Sequence, residues 1–186
     1  MIVQSFLLDV NEANAYVVAC EQTREALLID AGELNASVEA FLRDQDLRLT
    51  RVFITHDHFD HTGGLREIID KHRAEVFAAN HAVGNCTATN VSHGDEIPVG
   101  SLVGKVVVTP GHTPDGISLI FPGVVFVGDA LFAGSVGGTA TNALARQQID
   151  HIRRNIFSLP PEYELHGGHG PASTVQIESR YNPFFL

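Results

Sequence analysis

The chain has two cysteines, two lysines and no long apolar run, and each shortage narrows what the protein can be. Cys20 and Cys86 are too few for a disulfide framework, and neither stands near a second Cys or His at zinc-finger spacing. Both read as small buried residues of a reducing compartment. No apolar stretch approaches the ~20 residues of a membrane-spanning helix. The start, Met1 to Asp9, has neither the basic region nor the apolar run of a signal peptide. A cytoplasmic location without membrane association is therefore expected. Positive charge is scarce, and the net charge is −10. A nucleic-acid partner needs basic stripes that neutralise phosphates, whereas Arg153-Arg154 is the one basic doublet and reads as a solvated helix face. Acidity does not bar an anionic small molecule, because bound divalent cations would invert the local field.

What remains is an ordinary globular composition: 186 residues, 44% apolar and 18% charged. A chain of this length buries about 70% of its unfolded surface, so residues 1–186 are expected to form one domain. Runs of apolar or alternating residues over 2–8, 14–20, 26–30, 50–55, 75–79, 103–109, 116–121 and 124–127 read as strands. Helices are expected over 37–46, 64–73 and 142–159, the last with Leu144, Ile149, Ile152 and Ile156 facing inward. Residues 80–101 read as a long loop or surface hairpin, and the chain after 159 as short and loop-rich. Strands dominate with helices between groups of them, which implies sheets covered by helices. The Gly-rich stretch 131–142 lacks the Gly-Lys-Ser/Thr ending of a phosphate loop.

Thr55-His56-Asp57-His58-Phe59-Asp60-His61-Thr62-Gly63-Gly64 concentrates four potential metal ligands within six positions, directly after a strand. Residues two apart share a face of extended backbone, so His56 and His58 can grip one ion. Asp60 and His61 lie further round the turn and can supply a second. Imidazoles and carboxylates suit borderline divalent metals. An isolated histidine reads as a surface or hydrogen-bonded residue. Here His112, Asp129 and His169 each follow a predicted strand end in a turn with Gly or Pro, the layout of a site gathered on one edge of a sheet scaffold. His72 and His151 read as helix-surface residues, His81 and His93 as loop residues, and His166 as a neighbour of the site without a ligand role. Asp57 should point away and support the turn. Asp30 is expected to accept a hydrogen bond that orients a ligand or a metal-bound water, with helix capping as the alternative.

These motifs resemble the metallo-β-lactamase superfamily and, within it, the short bacterial members of its glyoxalase II-like (hydroxyacylglutathione hydrolase-like) branch. The resemblance rests on residues 28–32, 55–64, Pro110-Gly111-His112-Thr113-Pro114, Gly128-Asp129-Ala130-Leu131-Phe132 and Gly168-His169-Gly170-Pro171. It implies an α/β (α+β) fold, an αββα sandwich with two metals at one edge. His56, His58 and His112 would hold one ion, and Asp60, His61 and His169 the other. Asp129 would bridge them, and Asp60 and Asp129 are the acids placed in catalysis. Zinc is the first expectation, with iron or manganese also admitted by an all-N/O ligand set.

The implied reaction is hydrolysis of a small thioester such as S-lactoylglutathione by a hydroxide held between the ions. Two departures bear on substrate contacts. The helical region that completes glutathione binding in the longer family members is not expected here, and Gly137-Gly138-Thr139-Ala140 stands where short relatives carry Gly-Arg-Thr-Asp. The alternatives are a lactonase or another hydrolase of the superfamily, and a persulfide dioxygenase. The last is similar around 55–64 and would use one iron on His56, His112 and Asp129. A member that uses metals only for stability or partner binding is disfavoured, because structural sites are normally closed and mononuclear.

Overall fold

In the computed structural model, which describes residues 1–186, the first half of the chain builds one sheet and the second half another. The first half contains β1 (Ile2–Leu7), β2 (Asn14–Ala19), β3 (Glu25–Ile29), α1 (Ala36–Asp44), β4 (Arg48–Phe53), α2 (Phe59–Thr62), α3 (Leu65–His72), β5 (Glu75–Ala78), β6 (Ala82–Val83), β7 (Cys86–Thr87) and β8 (Thr89–Asn90). The second contains β9 (Glu96–Val99), β10 (Leu102–Val108), β11 (Ile117–Phe121), β12 (Val124–Gly128), β13 (Leu131–Phe132), β14 (Ser135–Val136), α4 (Asn142–Asn155), β15 (Glu164–Gly167), β16 (Ser173–Thr174), α5 (Val175–Tyr181) and a 3-10 turn (Pro183–Phe185). Sheet order is β1-β2-β3-β4-β5-β8 in one and β16-β15-β12-β11-β10-β9 in the other.

Three apolar layers make this an αββα sandwich. Val38 and Leu42 of α1, with Leu65 and Ile68 of α3, cover Val17, Leu28 and Val52. The alternate residues Val18, Leu27 and Phe53 point the other way and meet Leu119, Phe121 and Phe126 between the sheets. Ile152, Ile156 and Val175 cover Val107, Val125 and Val127 on the far face. Both faces of each sheet are therefore dry, which is why β2 and β12 are buried at every position.

The helices are also what places the site. Helical crossovers α1, α3 and α4 make the pairs β3–β4, β4–β5 and β12–β15 parallel. β10 and β12 each run antiparallel to β11 and so share a direction. The C-terminal ends of β4, β10, β12 and β15 carry the chain out to His56, His112, Asp129 and His169.

Several expectations are corrected. Residues 80–101 form β6 to β9, three of them two-residue strands too short for any periodicity. α4 stops at Asn155 rather than Leu159, consistent with Pro160-Pro161, which restrict residue 159 and cannot donate. Its buried face is Gln148, Ile152 and Ile156, while Leu144 and Ile149 are half-buried. The chain after 159 is ordered as β15, β16, α5 and the 3-10 turn. No helix is long and apolar enough to cross a membrane.

Candidate metal centre

The loop leaving β4 is pinned by a buried acid. Asp30 Oδ1 accepts from the Thr55 N–H at 2.8 Å, and Oδ2 from the Thr55 hydroxyl at 2.9 Å. Asp30 Oδ2 also lies 2.8 Å from His61 Nδ1. His56 Nδ1 is 3.0 Å from Thr55 Oγ1, whose own hydrogen is given to Asp30. His112 Nδ1 faces the Gly138 carbonyl at 2.7 Å, and His169 Nδ1 the Glu12 carbonyl at 3.4 Å. In all four rings an acceptor takes the Nδ1 hydrogen, which turns Nε2 inward. His58 is the exception and points Nδ1 inward.

The inward atoms form overlapping groups: His56, His58 and His112; His56, His61 and Asp129; Asp60, His61 and His169. His58 Nδ1 lies 3.1 Å from both His56 Nε2 and His112 Nε2. His169 Nε2 is 3.5 Å from Asp60 Oδ2. Asp129 reaches across the groups: Oδ1 is 3.4 Å from His61 Nε2, and Oδ2 is 3.5 Å from His112 Nε2 and 3.7 Å from His169 Nε2.

His61 Nε2 and Asp129 Oδ1 are buried without a hydrogen-bond partner. Such orphans are costly in a protein interior, and a cation between them would satisfy both. The same carboxylates draw positive charge to this point. Burial opposes a charged His61, yet Asp30 and Asp129 hold its proton up to about 10. Burial and the His61 charge push His56 down to about 4. Despite burial, His61, His56 and His169 keep the Asp129 carboxyl below its usual range. The donor set fits bound metal ions, and the His/Asp clusters in this fold imply them.

Close approach is possible only because Gly168 has no side chain: a Cβ there would fall 2.1 Å from Asp129 Oδ1 and 2.7 Å from His61 Cε1. A cavity of about 540 Å³ is lined by Gly137, Gly138, residues of α4 including Arg146 and Arg153, and Phe184.

The other candidates fall outside these groups. Asp57 is exposed, accepts from the Gly84 N–H at 2.9 Å and so ties the 55–61 loop to the β6–β7 hairpin. His166 is buried in the core, stacked on Phe126 and edge-on to Tyr16. His81 and His93 are exposed. His72 and His151 are half-buried rather than at the surface, and His72 Nε2 lies 2.7 Å from Glu39. Sequence reasoning missed Asn11, whose amide donates to Asp60 Oδ2 at 3.2 Å, and Tyr16, whose hydroxyl donates to the Gly167 carbonyl at 2.6 Å. Asn11 had one signal, a polar turn residue here held at φ 51°. Tyr16 lies within an apolar strand and had none.

An αββα sandwich with this cluster on one edge defines a class, and the comparisons agree with it. The sequence profile of the metallo-beta-lactamase superfamily matches residues 8–169, and the chain belongs to that superfamily. It is similar to a hydroxyacylglutathione hydrolase of Halorhodospira halophila, 38% identical over 152 residues, with 77% of this chain and 56% of that one covered. A hydroxyacylglutathione hydrolase of Nitrobacter hamburgensis is 36% identical over 161 residues, 83% of this chain and 62% of that one. The chain therefore spans 56% and 62% of the length of these two relatives. Among solved structures, ETHE1 from Myxococcus xanthus superposes with a TM-score of 0.89 at 34% identity, over 98% of this chain and 84% of that one. TTHA1623, solved in a di-iron-bound form, gives a TM-score of 0.77 at 28% identity over 97% and 99% of the two chains.

Proposed function

We propose that the protein is a metal-dependent hydrolase of small thioesters, with S-lactoylglutathione as the reference substrate. His56, His58 and His112 would hold one divalent ion, Asp60, His61 and His169 a second, and Asp129 would stand between them. The observation that carries this reading is the reach of Asp129, whose carboxylate lies within 3.7 Å of a histidine of each set. When bound, divalent ions supply Lewis acidity and make hydroxide available at neutral pH. The protein's own part is to present five imidazoles and two carboxylates already oriented, and to keep the bridging position charged by holding Asp129 ionised.

The converging groups include no tyrosine or lysine to serve as the acid for a poor leaving group. The Tyr16 phenol donates to Gly167, and burial and Asp30 push its pKa upward. A thiol needs no strong acid to leave, since its pKa is ~8.5, and this favours a thioester over an amide. The hydroxyacylglutathione hydrolase relatives support the same substrate class. A lactone expels an alkoxide, a poorer leaving group than a thiolate, which places a lactonase behind a thioesterase as the hydrolytic alternative. The persulfide dioxygenase reading needs only His56, His112 and Asp129. It leaves Asp60, His61 and His169 converging without a task.

The test is metal analysis of the purified protein beside parallel assays with a thioester, a lactone and a persulfide. Two ions per chain with thioester turnover is the expected result. One iron per chain with oxygen consumption on the persulfide would replace the proposal.

A further inference from the structure

Gln148 lies on α4 between Ile152 and the 137–138 segment and is 1% exposed. Its Nε2 donates to the Ala130 carbonyl at 2.7 Å and to the Gly137 carbonyl at 3.2 Å. Ala130 directly follows Asp129. Gly137 precedes Gly138, whose carbonyl accepts from His112 Nδ1. Gly111, the residue before His112, rests on the stem of the same side chain: a Cβ on Gly111 would fall 2.3 Å from Gln148 Cβ. One residue thus touches all three segments that set Asp129 and His112, two through its amide and one through its stem.

The amide is held by its donors. Gln148 Oε1 is buried without a partner, and turning the group over would set that oxygen against two carbonyl oxygens. We infer that Gln148 is a positioning residue, fixing Asp129 and His112 relative to each other through Ala130, Gly137 and Gly111. Its effect on metal geometry rests on the proposed assignment of Asp129 and His112 as ligands. Its effect on the His112 hydrogen bond does not.

Gln148→Met keeps the length of the side chain and removes both donors. Asn182→Ala is the control: it frees the Ser135 carbonyl at the start of β14, Glu178 and the Phe184 N–H, and bonds none of Gly111, Ala130 and Gly137. Two readouts separate the layers. In the metal-free protein, Gln148→Met should speed solvent exchange of the His112 Nδ1 proton, followed by NMR, at least tenfold. With cobalt(II) as the probe, it should shift the visible absorption bands and weaken binding at least tenfold. Asn182→Ala should leave both within twofold, whatever its effect on melting temperature. Should Gln148→Met fail to fold, Gln148→Asn, which retains the amide on a shorter stem, should move both readouts in the same direction by a smaller factor. Unchanged exchange in a folded Gln148 variant overturns the inference, and so does an equal change in Asn182→Ala. Altered exchange without cobalt binding by the wild type would leave Gln148 in its role and sink the metal assignment instead.

Discussion

Asp30 Oδ2 accepts the Nδ1 proton of His61 at 2.8 Å, and the same carboxylate takes the backbone N–H and hydroxyl of Thr55. One buried acid at the end of β3 therefore anchors both ends of the 55–61 loop. In Asp30→Asn one acceptor oxygen becomes a donor, so the three bonds cannot all be kept. Hydrogen bonds to charged groups are worth ~1.5–3 kcal/mol each, and a loss of about that size in unfolding free energy is expected. Metal content should fall with it, because His61 is no longer held in place. Denaturant unfolding and elemental analysis of the same preparation check both, and full metal occupancy would remove Asp30 from its orienting role.

Asp129→Asn tests the bridge. The amide keeps the shape but removes the charge and one ligand oxygen. Metal content should drop and kcat fall at least a hundredfold, ~2.7 kcal/mol, with the fold retained because Asp129 stands at a strand end outside the apolar layers. Asp57→Asn is the matched control: it loosens the contact with Gly84 but faces away from the cluster, and should do much less. A more damaging Asp57→Asn would mean that the 56–61 turn faces differently.

Purified without chelators, the protein is expected to carry two transition-metal ions per chain. A saturated crystal with one ion, and with His61 and His169 free of metal, would rule out the dinuclear arrangement.

Substrate preference is expected to be lax toward the thiol. Gly137-Gly138-Thr139-Ala140 brings no charged side chain to the wall beside His112, so simple thioesters should be turned over nearly as well as glutathione esters. Comparison of kcat/KM checks this. A thousandfold preference for the glutathione ester, ~4 kcal/mol, would reveal a binding element outside this wall.

Away from the His/Asp cluster, Glu39 of α1 meets Lys71 Nζ at 2.8 Å and His72 Nε2 at 2.7 Å on α3. Burial opposes its ionisation, but these two partners hold its carboxyl below the usual range. A depressed folded pKa contributes stability above the unfolded value, near 4.3, that is lost as pH falls through the folded one. Glu39→Gln should therefore cost ~1 kcal/mol at pH 7, and the difference from wild type should vanish in acid. A gap that persists at pH 2 would mean lost packing rather than lost charge.

How much of this was open to reading from the chain alone depends on where each signal lives. The period-2 apolar runs and the helical stripes are local, so sheets covered by helices could be inferred before any contact was known, whereas the αββα sandwich was implied only by the family resemblance. The seven metal-site candidates were visible because ligands must be particular residue types, and they follow strand ends, in turns or, for Asp60 and His61, in the short helix α2. Asp30 was half-visible: an acid at a strand end promises an acceptor without saying for whom. Gln148 was not visible at all. A glutamine on a polar helix reads as solvent-facing, and its burial follows only from the packing of α4 over the segments around Gly111, Ala130 and Gly137. The same holds for Tyr16 beneath Gly167 and Asn11 beside Asp60. Residue type and spacing determine which atoms can bind or bury. Which of them meet is decided by tertiary packing, because a hydrogen bond between separate segments, 11 to 151 residues apart in these cases, leaves no periodic trace in either one.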